Sequence, residues 1–257
     1  MNIGTKTEKE IRVMAKGGKI LAKAMEELEK MVRPGITTKE LDRAAEALIL
    51  KLGAACAFKG YQDKDDKDTN SVFPACLCVS VNDEVVHCPP SERILKEGDI
   101  VSLDLGVLYK GFYADMAITA PVGRISPIAA KLIKVTKEAL KRGIKKVKVG
   151  GHFGDIGSVI QKHVEDNGFS VVRDLCGHGI GRGLHEEPQV LNYAEHGTGL
   201  VIQEGMVFCI EPITAAGDWK IKKAGLGYKT IDNSLSAHFE HTLAINKNGC
   251  QVLTKIS

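Results

Sequence analysis

Residues 97 to 115 read Glu-Gly-Asp-Ile-Val-Ser-Leu-Asp-Leu-Gly-Val-Leu-Tyr-Lys-Gly-Phe-Tyr-Ala-Asp. From residue 100 the side chains alternate, with Ile100, Ser102 and Asp104 on one face and Val101, Leu103 and Leu105 on the other, the period of a β-strand. Gly111 can adopt the positive φ that a tight reversal requires. A turn at Tyr109-Lys110-Gly111 therefore predicts a β-hairpin, with Asp104 opposite Asp115 across the ladder. Two carboxylates then share one site.

The pattern returns about a hundred residues later. Glu204-Gly-Met-Val-Phe-Cys-Ile-Glu211 repeats the Glu-Gly start and the terminal acid of residues 97 to 104. The partner acid of this half is Glu240, because Ala-His-Phe-Glu-His-Thr-Leu-Ala-Ile echoes Phe-Tyr-Ala-Asp-Met-Ala-Ile around Asp115. The sequence thus predicts one domain, α/β or α+β, made of two related halves, roughly 1–125 and 126–257, packed about a pseudo-twofold axis. Asp104, Asp115, Glu211 and Glu240 would converge at that axis, where four carboxylates cannot all stay ionised without bound cations.

A chain of 257 residues can bury a substantial single core. Its net charge of +3, with 26% charged residues, gives no compositional case for nucleic acid. The early charges Lys6, Glu8, Lys9, Glu10, Arg12, Lys16 and Lys19 exclude a secretory leader. No apolar run approaches the ~20 residues of a membrane span, so a cytoplasmic location is expected. The cysteines, seven in number (56, 76, 78, 88, 176, 209 and 250), include no CxxC pair and read as reduced thiols. Cys76-x-Cys78 lacks a second pair for a zinc knuckle.

Thr7-x-x-Glu10 and Thr37-x-x-Glu40 are capping boxes that open two amphipathic helices. The first carries Ile11, Met14, Gly18, Leu21, Met25, Leu28 and Val32 on one face; the second carries Leu41, Ala45, Leu48 and Leu52 and ends at Gly53. Residues 62–71 form a charged loop that lacks the ligand spacing of a calcium site. Strand signals run from Cys76 to Asn82 and through Glu84-Val-Val-His87. Ser126-Pro127 starts a third helix to about Gly143. A fourth runs from Asp155 to about Asn167, ahead of a strand from Ser170 to Leu175.

Cys176-Gly-His-Gly-Ile-Gly-Arg-Gly-Leu-His185-Glu-Glu-Pro188 is glycine-rich, so its backbone can approach whatever His178 and His185 address. The spacing matches no phosphate-binding loop, and Glu186-Glu187 would repel phosphate. One imidazole added to the four acids gives an oxygen-rich set suited to Mn(II), Fe(II), Co(II) or Zn(II). With bridging carboxylates it could hold two ions roughly 3.5 to 4 Å apart.

Several further segments fall in one family's order: Asn82-Asp-Glu-Val-Val-His87, Glu97 to Asp104, Gly111-Phe-Tyr-Ala-Asp115, Gly177-His-Gly-Ile-Gly181, His185-Glu186, Ile210-Glu-Pro212 and Ser234-Leu-Ser-Ala-His-Phe-Glu-His-Thr242. On these motifs the chain resembles the type I methionine aminopeptidases of the pita-bread fold, over nearly its whole length. The resemblance implies an α+β fold, a curved, mainly antiparallel sheet covered by helices. It also implies divalent metal ligation by Asp104, Asp115, His178, Glu211 and Glu240, and a hydroxide bridging the two ions with Glu211 as proton acceptor. His87 would serve the leaving amide nitrogen and His185 the carbonyl oxygen. Phe58, Tyr61, Cys78 and Trp219 match positions lining a methionine pocket, where a thioether can meet ring edges.

The implied activity is removal of the initiator methionine from nascent chains with a small second residue, by a monomer. Cys88-Pro89-Pro90 stands where the family more often has Gly-Ile-Pro, and Leu184 replaces an aromatic of some relatives. The lysine-rich stretch 220–229 reads as a solvated loop, with ribosomal RNA contact as the alternative. Two other functions compete. An X-Pro aminopeptidase or prolidase would use similar acids but resembles a longer type of chain. A non-catalytic pita-bread binding protein would have lost ligands, and all five are present here.

Overall fold

The computed structural model describes residues 4–62, 72–247 and 249–255; most of the charged loop expected at 62–71 lies outside them. In chain order the elements are α1 (Glu8–Met31), α2 (Thr38–Lys51), β1 (Ala55–Cys56), β2 (Leu77–Val81), β3 (Ile100–Tyr109), β4 (Phe112–Pro121), α3 (Pro127–Lys146) and α4 (Phe153–Asp166). There follow β5 (Ser170–Val171), β6 (Gly177–Gly179), β7 (Glu186–Val190), β8 (Val207–Ile210), β9 (Ile213–Ala215), β10 (Ile221–Ala224), β11 (Gly227–Thr230), β12 (Ser236–His238), β13 (His241–Asn246) and β14 (Gly249–Val252).

Both N-terminal capping boxes form. The Thr7 and Thr37 hydroxyls accept the Glu10 and Glu40 N–H groups, and each glutamate accepts the N–H of its threonine at 2.7 Å. In α2 the buried third position is Ile49 rather than Leu48. α3 runs past Gly143 to Lys146, and α4 starts two residues earlier than expected, at Phe153.

Each half packs a helix pair onto strands. Leu21, Met25 and Leu28 of α1 and Leu41 and Ile49 of α2 bury against Leu77, Val79, Leu103 and Leu105. Leu132 and Leu140 of α3 and Ile156 and Ile160 of α4 bury against Phe208, Ile210, Leu243 and Ile245. β3 pairs with β4 along its length and with β2 and β1 on its other edge; the second half holds the order β14-β13-β8-β6-β7, and β12-β9-β5 form a third sheet. Among the described residues all strand pairings are antiparallel.

Among the strands and turns, five details differ from the sequence reading. The turn between β3 and β4 uses only Lys110 and Gly111, with φ of 50° and 83°, the positive pair of a two-residue hairpin turn. That sets the register so that Asp104 faces Ala117 and Asp115 faces Gly106; the two acids share a face as diagonal neighbours rather than a directly opposed pair. Cys56 and Cys76 form a disulfide, because β1 and the approach to β2 lie along the same edge of β3. Residues 84–87 make an isolated bridge, Glu84 to Lys229, and the strand after Ser170 stops at Val171. The stretch 220–229 is a hairpin, β10–β11, with Lys229 paired to Asp83 and Glu84.

The halves meet where β4 runs beside the chain leading into β13. The Thr242 hydroxyl accepts the Asp115 N–H at 2.9 Å and donates to the Asp115 carbonyl at 2.8 Å. Four residues along, the Thr119 hydroxyl accepts the His238 N–H and donates to the His238 carbonyl, at 2.8 and 2.9 Å. Between these rungs the Glu240 N–H donates to the Ala117 carbonyl at 2.9 Å. Thr242 is fully buried, so Thr242→Val leaves a buried N–H and a buried C=O unpaired. Urea denaturation should report a loss of about 2 to 4 kcal/mol, with the slope unchanged.

Candidate active site

Asp104 and Asp115 enter from β3 and β4, His178 from β6, Glu211 from the residue after β8, and Glu240 from the residue before β13. The two glutamates come together because His241 pairs with Ile210, although the chain between them makes four further strands. Asn192, fully buried, donates its side-chain N–H to the Glu211 carbonyl at 2.9 Å. β6 can lie close to β7 because residue 179 is glycine: a Cβ there would sit 2.1 Å from the Glu187 carbonyl oxygen.

His178 Nδ1 is hydrogen-bonded to the Gly179 carbonyl at 2.9 Å, which turns Nε2 toward the acids. Nε2 lies 3.7 Å from Glu211 Oε1 and 3.9 Å from Glu240 Oε1. Asp104, Asp115 and Glu240 offer oxygens that all lie within 4.8 Å of one another. Burial pushes all four acids upward. Asp104 is raised further by the charges of Asp115 and Glu211, and Glu211 by that of Asp115. Glu240 is raised further by Asp115, Glu211 and Asp104. Asp115 reaches about 7, restrained by the Met116 N–H that donates to it. Burial, then the neighbouring His185, lowers His178 to about 3, so its imidazole is neutral and able to act as a ligand.

These groups fit a metal. Asp104 Oδ1 and Glu240 Oε1 are buried without a hydrogen-bond partner among the described residues, a costly state that cation coordination removes. The donor set, carboxylate oxygens with one neutral imidazole, matches divalent first-row ions.

The acids open into a cavity of about 560 Å³. One part of its wall comes from an apolar cluster that includes Phe58, Phe73, Cys78 and Leu184, joined by Tyr61 and Leu226. Phe58 and Phe73 meet edge to face at 6.3 Å. Phe58 can lie over β3 because residue 106 is glycine, where a Cβ would come within 2.7 Å of the ring. Leu184 is buried in this wall.

His185 and His87 also line the cavity. Tyr61 Oη lies 2.8 Å from His185 Nδ1, and the His185 ring meets that of His178 at 4.5 Å. The Glu186 carboxylate accepts from the Gly183 N–H and from Lys6, tying down the loop that carries His185. His87 has a φ of 57° and an edge contact with Tyr228 at 6.2 Å. Its loop is held by Val85 and Tyr228 N–H groups donating to the Tyr228 and Val86 carbonyls.

Trp219 is not in the cavity wall; its ring sits 5.4 Å from the Arg173 guanidinium carbon. The short link from β9 into the β10–β11 hairpin carries it away. The Cys88 thiol faces the Val86 and Tyr228 carbonyls, so it does not narrow the cavity. Not singled out from the sequence were Phe73 and Leu226 of the cavity wall, Asn192, which no motif marked, and His238, whose signal was its position two before Glu240 on an extended segment.

Comparison with known proteins agrees with this chemistry. The chain belongs to metallopeptidase family M24, which matches over residues 12–247. Within the family, a methionine aminopeptidase of Clostridium perfringens is 48% identical over 253 residues, 98% of each chain. The crystal structure of a methionine aminopeptidase from Thermotoga maritima superposes with a TM-score of 0.93 at 43% identity, covering 99% of this chain and 100% of that one. A prolidase from Pyrococcus furiosus shares the fold at a TM-score of 0.77 and 25% identity, with 98% of this chain matching 66% of that one. The pita-bread architecture is thus common to both classes.

The raised acids fix a pH dependence. Asp115, at about 7 when folded, exceeds the ordinary carboxyl value of about 3.9, so without metal the folded state holds a proton that the unfolded state has released. The stability that this proton contributes to the metal-free protein is therefore lost as pH rises toward 7, whereas buried His178 and His238, lowered to about 3, contribute in the opposite sense below about pH 6.5. In chelator-treated protein the denaturant midpoint of Asp115→Asn, measured against wild type, should improve progressively between pH 5 and pH 7 and change little above pH 8.

Proposed function

We propose that this protein is a methionine aminopeptidase that removes the initiator methionine from nascent chains with a small second residue. The observation that carries this reading is the buried acid and histidine cluster opening directly into the apolar cavity of Phe58, Tyr61, Phe73, Cys78 and Leu184. A methionine side chain needs such a wall, with ring edges for its sulfur. The relatives matched over the whole chain carry the same activity in their names.

In this reading Asp104, Asp115, His178, Glu211 and Glu240 hold two divalent ions, of Mn, Fe, Co or Zn. When bound, such ions supply Lewis acidity and lower the pKa of water. Glu211 accepts the proton released from the attacking water. Tyr61 Oη lies 2.8 Å from His185 Nδ1; in the tautomer whose Nδ1 accepts from that hydroxyl, the His185 proton is on Nε2 and meets the carbonyl oxygen as charge develops there. His87 addresses the departing nitrogen. The whole chain serves as one catalytic domain, with halves at 1–125 and 126–257. It works as a cytoplasmic monomer on nascent N-termini; among the described residues no helix is long and apolar enough to cross a membrane. The exposed Lys222 and Lys223 of β10 would serve any transient ribosome contact.

Metal-stripped protein, reloaded separately with Mn(II), Fe(II), Co(II) and Zn(II), should cleave a Met-Ala-Ser peptide and leave Ala-Pro peptides intact. Cleavage of only the Ala-Pro peptide would move the protein to the prolidase class, and cleavage of neither would favour a binding role. His185→Ala should lower kcat about 10²- to 10³-fold, with a smaller change in KM.

A further inference from the structure

The reading above leaves His238 without a role. It closes β12, two residues before Glu240, and is 2% exposed. Thr119 bonds both its N–H and its carbonyl, which fixes the backbone from which the ring projects. Neither ring nitrogen has a hydrogen-bond partner among the described residues. Its Nε2 lies 3.7 Å from Glu211 Oε2 and 4.0 Å from Glu240 Oε2. His178 Nε2 stands at similar distances from the Oε1 atoms of the same two acids. The two glutamates are thus flanked by an imidazole at each oxygen. The difference is that His178, Glu211 and Glu240 line the cavity and His238 does not: it sits behind the carboxylates.

A buried neutral imidazole carries one N–H, and leaving it unpaired costs about 1 to 3 kcal/mol. Nδ1 has no acceptor among the described residues, whereas the two carboxylates lie ahead of Nε2. Closing 3.7 Å to a hydrogen bond of about 2.9 Å takes a shift of less than 1 Å. Resting on the metal-site reading above, we propose that His238 is a positioning residue: its Nε2–H donates to Glu211 Oε2, holding that carboxylate with Oε1 turned to the ions. Partners of this kind, one step behind the ligands, tune metal affinity by about 10- to 100-fold.

The test compares His238→Met, which has no donor, with His238→Gln, which keeps an N–H, in the full chain stripped of metal. In calorimetric titration with Mn(II), His238→Met should bind about 10- to 100-fold more weakly than wild type and show an altered Co(II) absorption spectrum. At saturating metal it should lower kcat on Met-Ala-Ser while KM holds. His238→Gln should recover most of the affinity. Wild-type Mn(II) affinity in His238→Met, or an equal loss in both variants, overturns the proposal alone. Failure of the wild type to bind Mn(II) overturns the metal-site reading together with it. Should His238→Met not fold, ¹⁵N-histidine NMR of the Zn(II)-loaded wild type decides: a proton on Nε2 supports the assignment, and a proton on Nδ1 or a metal-bound Nε2 overturns it.

Discussion

Four carboxylates held side by side in an apolar interior repel one another and lose their hydration, and this constraint governs the structure. Burial pushes each acid toward its neutral form, so metal-free protein meets the cost by taking up protons. Divalent ions meet it differently, by satisfying lone pairs that no donor among the described residues reaches, such as those on Asp104 Oδ1 and Glu240 Oε1. The same burial keeps His178 neutral. Repulsion and desolvation, unfavourable for folding, are what make the cluster bind cations.

The acids could not be assembled within one half of the chain. Each hairpin-like unit brings two, and a seam of three antiparallel rungs joins the units: Asp115 to Thr242, Ala117 to Glu240, and Thr119 to His238. In the outer rungs a threonine hydroxyl replaces a strand partner, serving both the N–H and the carbonyl of the residue it faces. This leaves the backbone satisfied while the acids point into a shared space. Asp115 and Glu240 lie on the seam itself, so the contact between the halves also sets the positions of these two acids.

Around this centre the cavity divides its work. Apolar and aromatic side chains from the first half, with Leu184 and Leu226 from the second, form a wall suited to a thioether. The histidines stand on loops that other segments restrain: His185 through Tyr61 and Glu186, His87 through the β10–β11 hairpin. Placing imidazoles on pinned loops combines reach with fixed geometry.

Local chemistry was enough to read the helices, since the capping boxes at Thr7 and Thr37 state where a helix begins whatever surrounds it. Alternation along residues 100 to 105 likewise marked a strand, and the repeated Glu-Gly-to-acid spacing marked Asp104 and Glu211 as counterparts. Register was beyond that reach: whether Asp104 meets Asp115 or Ala117 depends on one residue more or less in the turn, and the geometry at Lys110-Gly111 decided it. Distance in sequence hid the rest. The Cys56–Cys76 bridge, the Asn192 bond to Glu211 and the place of His238 behind two acids all arise from strands brought together by the core. Trp219 fell outside the cavity for the same reason, because a side chain's direction follows from packing around its backbone. Short patterns with their own physical cause, together with the resemblance to one family, marked the candidate residues; which of them touch was left to the packing, because contact between distant segments is set by how two hydrophobic cores close against each other.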